Sequence, residues 1–170
     1  MRAAAPLAAL ALLAGCWPSV EEEAARDLGP EVGEEGPTHR PGQPCLACHG
    51  ERYSPGEAVF VLAGTVYERA TDPRGLYGAE VRMTDAEDRT FTVLTNQAGN
   101  FMVAAGDDDE GEGEGYLRVP FRPTFPIRVD VRRGATEKVM RNVIGREGSC
   151  AACHTDPPGA TSAGKVFVVE

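Results

Sequence analysis

Cys45-Leu46-Ala47-Cys48-His49 and Cys150-Ala151-Ala152-Cys153-His154 are two copies of one pentapeptide pattern, C-x-x-C-H, set at either end of a stretch whose apolar residues alternate with polar ones. Two thiols three positions apart can each add to one of the two vinyl groups of a haem, and the adjacent imidazole can then ligate the iron. Read in this way, Cys45, Cys48 and His49 mount one covalently bound c-type haem, and Cys150, Cys153 and His154 mount a second. His49 and His154 are the expected proximal iron ligands.

The fifth cysteine bears on the compartment. Met1 and Arg2 form a short basic start, residues 3 to 13 are nearly all Ala and Leu, and Leu13-Ala14-Gly15-Cys16 follows. That run is too short for a permanent membrane-spanning helix and reads as a signal peptide over residues 1–15. Its ending resembles a bacterial lipobox, which implies cleavage before Cys16 and lipidation of its thiol. The plainer alternative is a secretory signal with an incidental cysteine. Both export the chain, and export suits haem attachment. The lipobox reading gives a protein anchored to the outer membrane of a Gram-negative bacterium, on its periplasmic or outward face.

From Cys16 onward about 155 residues remain, enough for one modest core. The net charge of −9 makes nucleic acid an unsuitable partner. Residues 18 to 40 hold seven acids against Arg26 and Arg40, with repeated Pro and Gly, so residues 16–44 read as a disordered acidic tether. A second acidic run, residues 107–115, has no apolar periodicity and reads as a solvated loop; its glycine interleaving lacks the ligand order of a calcium-binding EF-hand. From Arg118 to Arg146 eight basic residues face only Asp130 and Glu137. That stripe is either a charged strand face or a partner for haem propionates.

Between the motifs the period is two. Ile127, Val129 and Val131 alternate with Arg128, Asp130 and Arg132, and Ala79, Val81 and Met83 with Glu80, Arg82 and Thr84. Further strands are expected over residues 59–67, 89–95, 100–104, 116–119, 135–140 and 165–169. Short strands separated by Gly, Asp and Asn turns predict a mainly β fold, a seven-to-eight-stranded antiparallel sandwich with irregular haem-binding segments at both ends. The expected divisions are a first haem-attachment segment at 45–57, a sandwich at 58–141, and a second haem-attachment segment with a C-terminal strand at 142–170.

Gly64-Thr65-Val66-Tyr67, Leu76-Tyr77-Gly78-Ala79-Glu80-Val81 and Thr95-Asn96-Gln97-Ala98-Gly99-Asn100-Phe101 resemble the carboxypeptidase regulatory-like domain, a transthyretin-like seven-stranded sandwich. The resemblance covers residues 58 to 141 and implies a fold without a peptidase site. Lipobox, C-x-x-C-H, sandwich and second C-x-x-C-H in that order resemble dihaem lipoproteins of myxobacteria and related bacteria.

With His49 and His154 taken as proximal ligands, His39 is the one histidine left to serve as a distal ligand, so two bis-histidine haems cannot form within one chain. Met140, ten residues before Cys150, is the preferred distal methionine. Met83 has the parity of a core residue, and Met102 lies on the face opposite Phe101 and Val103. The text after the two motifs is related: Ala63-Gly64-Thr65-Val66-Tyr67 follows the first and Ala163-Gly164-Lys165-Val166-Phe167 the second. Two similar haem-to-strand junctions on one body are expected.

The leading function is electron transfer by a lipid-anchored dihaem cytochrome between extracytoplasmic redox partner proteins. A binding module closed by a Cys₄ zinc clasp through Cys45, Cys48, Cys150 and Cys153 is the second reading. The third is a small haem reductase or peroxidase with an open iron site.

Overall fold

The structure is a computed structural model in which residues 27–28, 36–51, 58–106 and 113–169 are described. The signal segment, Cys16 and residues 107–112 of the acidic run lie outside the described residues. Among those that are described, no helix is long and apolar enough to cross a membrane.

The alternating segments form eight strands: β1 (Leu62–Tyr67), β2 (Glu80–Thr84), β3 (Thr90–Leu94), β4 (Asn100–Ala105), β5 (Tyr116–Val119), β6 (Arg128–Arg133), β7 (Thr136–Val139) and β8 (Val166–Phe167). They make two four-stranded sheets, ordered β5-β4-β1-β8 and β3-β2-β6-β7, and the protein is a mainly β sandwich. In the second sheet alternation sets the faces. Val81 and Met83 of β2, Phe91 and Val93 of β3 and Val131 of β6 point inward, while Glu80, Arg82, Thr90 and Thr92 face water. They meet Leu62, Val66, Phe101, Val103 and Val119 of the first sheet, and Ile127 completes the main core. Burial of these side chains is the principal stabilising term.

The second sheet is antiparallel throughout. The first departs from the expected all-antiparallel pairing, because its two edge strands run parallel to their neighbours, β5 to β4 and β8 to β1. Alternation reports which face a residue occupies and is silent on strand direction, so a period of two could not separate the cases.

Glycine fixes the β3–β4 connection. Gly99 has φ +78°, and a Cβ there would stand 2.5 Å from the Val66 carbonyl oxygen and 2.6 Å from Gly75 Cα. Only glycine fits both the backbone and the space.

Every residue of β1 is buried, as are the first five of β4. These strands are covered on both sides: the other sheet packs on one face, and the segment carrying the first C-x-x-C-H covers the other. Phe60, Ala63, Met102 and Ala104 form a second small core with Cys45, Leu46 and Tyr116 packed against it.

Residues 36–44, read from sequence as the end of the tether, belong to this cover. The Pro37 carbonyl accepts from Asn96 Nδ2 at 2.6 Å, the His39 carbonyl accepts from Asn100 Nδ2 at 2.9 Å, and the Gly42 amide donates to Thr65 Oγ1 at 2.7 Å. Thr65 in turn donates to Asn100 Oδ1. Polar side chains on the outer face of β1 and β4 hold a segment with few apolar residues of its own, a signal absent from its composition.

Candidate functional site

The two pentapeptides fold alike. In the first, a single helical turn, α1 (Leu46–His49), is closed by the amides of Ala47, Cys48 and His49 donating to the carbonyls of Pro44, Cys45 and Cys45. In the second, a 3₁₀ turn (Cys150–Ala152) carries the same ladder, from Ala152, Cys153 and His154 to Ser149, Cys150 and Cys150. The downstream chain then folds back onto each turn: the Phe60 amide donates to the His49 carbonyl at 2.8 Å, and the Ala163 amide to the Cys153 carbonyl at 2.9 Å. Each turn places the second cysteine and the histidine close to the first cysteine.

The histidines share one further contact. His49 Nδ1 lies 3.1 Å from the Ala58 carbonyl oxygen, and His154 Nδ1 lies 2.7 Å from that of Gly164. A carbonyl can only accept, so in a neutral ring Nδ1 carries the proton and Nε2 keeps its lone pair. This is the arrangement that orients an imidazole as a metal ligand.

Both turns pack against β1, about a hundred residues apart in the chain yet adjacent in space. The related strands that follow them are neighbours in parallel register, Val66 opposite Val166 and Tyr67 opposite Phe167. Ser149 bridges Ala63, and the Ala63 amide donates to the Gly148 carbonyl at 3.0 Å. The Cys150 side chain occupies the space above Gly64, where an added Cβ would stand 2.7 Å from both Cβ and Sγ of Cys150. Next to Cys150, the Ser149 hydroxyl is buried without a hydrogen-bond partner among the described residues, the kind of polar group that a bound ligand completes.

Burial pushes the Cys45 thiol up to about 11, with Cys48 adding to the effect. Burial likewise pushes Cys150 up to about 12, with the nearby thiols of Cys45 and Cys153 contributing. Both are protonated and poorly nucleophilic at neutral pH. Cys48 is half-buried and Cys153 exposed.

His39 is brought to the first turn. Its ring centroid lies 5.7 Å from that of His49, and His49 stacks on Phe60 at 4.9 Å. Met140 follows β7 in the second sheet, with its amide donating to the Val129 carbonyl. Met102 packs beside the first motif, in the cluster with Cys45 and Leu46. Its parity had set it apart from the main core, but nothing in the sequence said what covered that face. Sequence reasoning also passed over Lys165 and Tyr67, which line a small cavity with Cys150 and His154.

Within the basic stripe Arg122, Arg128 and Arg132 pair with acids, and Arg82 of the neighbouring strand joins them. Arg82 pairs with Asp130 and Glu137, Arg132 with Glu137, Arg128 with Asp88, and Arg122 with Glu51. These are solvated strand-face pairs, each worth little to stability. Among the described residues no three of His, Cys, Asp and Glu converge on a point that could hold a metal ion. A tetrahedral zinc clasp needs four such ligands, whereas a haem iron takes its equatorial ligands from the porphyrin and needs only one or two from the protein.

Comparison with family models, with curated proteins and with solved structures gives no match for this chain. The fold and the paired turns therefore define a β-sandwich with two like C-x-x-C-H sites side by side on one strand, and its functional reading rests on that geometry.

Proposed function

We propose that the chain is a lipid-anchored dihaem c-type cytochrome that passes single electrons between extracytoplasmic redox partners. The observation that carries this reading is the shared geometry of the two turns, in which each histidine donates Nδ1–H to a backbone carbonyl, which puts the ring's lone pair on Nε2, the atom that would ligate iron. Cys45 and Cys48 hold one haem and Cys150 and Cys153 the other. Each thiol adds across a vinyl group: an S–C bond forms, the thiol hydrogen passes to the neighbouring carbon, and nothing is oxidised. The bound haem supplies a one-electron ferric/ferrous couple. The protonated thiols of Cys45 and Cys150, half-buried in the folded body, suit attachment before each turn docks on β1.

His49 and His154 serve as proximal ligands. His39, pinned to the sheet beside His49, is the side chain best placed to complete the first iron. The second lacks an equivalent histidine, so the two sites differ in their surroundings. Lipidation of Cys16 attaches the body to the outer membrane, and the sandwich follows the carboxypeptidase regulatory-like pattern.

The test is direct. Protein matured in a host with haem-attachment machinery is denatured, and its absorbance and intact mass are recorded. The expected result is the mass of the chain plus two haems, with the colour retained. Colourless protein containing zinc overturns the proposal.

A further inference from the structure

We propose that Lys165 makes the two haem sites unequal, placing a positive charge beside the second so that the haem on Cys150 and Cys153 takes up an electron more readily than the haem on Cys45 and Cys48. The inference rests on the dihaem reading and adds the direction in which an electron settles within the molecule.

The parallel pairing of β1 and β8 sets the two junctions against each other. Val66 faces Val166 and Tyr67 faces Phe167, so one position earlier Thr65 corresponds to Lys165. The difference between these two residues is one of charge. Thr65 is neutral and engaged with the Gly42 amide and Asn100. Lys165 is a cation whose side chain is only 11% exposed. Its Nζ donates to the Asp72 carbonyl at 2.8 Å, lies 3.0 Å from the Asp156 carboxylate, and stands 4.5 Å from the centre of the Tyr67 ring.

This cation is built into the second site. The residue before it, Gly164, supplies the carbonyl that accepts the His154 ring N–H at 2.7 Å. Lys165, Asp156, His154, Cys150, Thr65 and Tyr67 line one small cavity. Asp156 opposes the lysine, but unequally: its side chain is 45% exposed against 11%, so water screens the carboxylate more than the ammonium. The pair leaves a net positive field at the site. A positive field stabilises the state holding the extra electron, so one electron leaves the ferrous iron at the first site and reduces the ferric iron at the second, with no proton or leaving group involved.

The test uses the full-length, haem-loaded protein in a spectroelectrochemical titration. A variant with Cys150 and Cys153 both replaced by Ala carries the first haem alone and supplies its reduced-minus-oxidised spectrum, by which the first couple is recognised in the intact protein. Lys165→Met should lower the potential of the second haem and leave the first in place, changing the equilibrium for electron exchange between them about tenfold, or ~59 mV for a one-electron couple. Asp156→Asn, at a more exposed position, should shift the same couple in the opposite direction, and Lys165→Arg should leave it near the wild-type value. Unchanged potentials in haem-loaded Lys165→Met and Asp156→Asn proteins, or equal shifts of both haems, overturn the inference alone. A wild-type chain that retains no covalent haem overturns the dihaem reading and this inference with it.

Discussion

At the scale of single residues, Asp85 shows how much one side chain can organise. Its carboxylate is fully buried in the turn between β2 and β3 and accepts from the amides of Glu87, Arg89 and Thr124 and from the Arg89 guanidinium. Burial pushes the carboxyl up, but these donors outweigh it and hold it at about 2, below its ordinary 3.8. A carboxylate depressed in the folded state contributes stability above its unfolded pKa and loses it as the pH falls through the folded one. Asp85→Ala should therefore cost about 2 kcal/mol near neutral pH, and the gap from wild type should narrow as the pH drops from about 4 to about 2. Urea melts at both ends of that range would check it, and a gap independent of pH would contradict it. The turn itself was legible, since Asp85 and Asp88 interrupt two alternating runs. The role of Asp85 was not, because Thr124, far along the chain, supplies one of its donors. His39 is a similar case: in sequence it stood merely six residues before Cys45, and its place beside His49 depends on Asn96 and Asn100 gripping its segment.

Strands and turns were the most legible elements. All eight expected strands formed, since the alternation of residues such as Val81 and Met83 with Arg82 already separates a dry face from a wet one. What alternation could not convey was direction, or that the outer face of β1 and β4 is covered. Gly64 joins strand to site. An added methyl would stand 2.7 Å from Cys150 and 3.1 Å from the Phe101 ring, and β1 cannot withdraw because Gly64 is registered against Phe101 of β4. Gly64→Ala should cost about 1–3 kcal/mol, whereas Gly159→Ala, which meets nothing within 4 Å, should stay within roughly 0.5 kcal/mol of wild type. Denaturation midpoints at unchanged slope would show the contrast. Equal midpoints for the two variants would mean that the second turn does not sit on Gly64.

For the whole molecule, the important result of folding is that two pentapeptides near opposite ends of the chain share one strand. Their related downstream text foretold similar junctions, yet only the pairing of Val66 with Val166 makes those junctions neighbours. In the proposed dihaem form, irons held by two turns on one strand should sense each other, because the charge on one changes when the other is reduced and fields between partly buried groups are weakly screened. The most direct measurement is the reduction potential of the first haem in the intact protein and in the variant whose Cys150 and Cys153 are both Ala, at the same low ionic strength. A clear shift of the first couple between the two proteins is the expected result. The same potential in both would contradict the placement of two interacting haems on one strand.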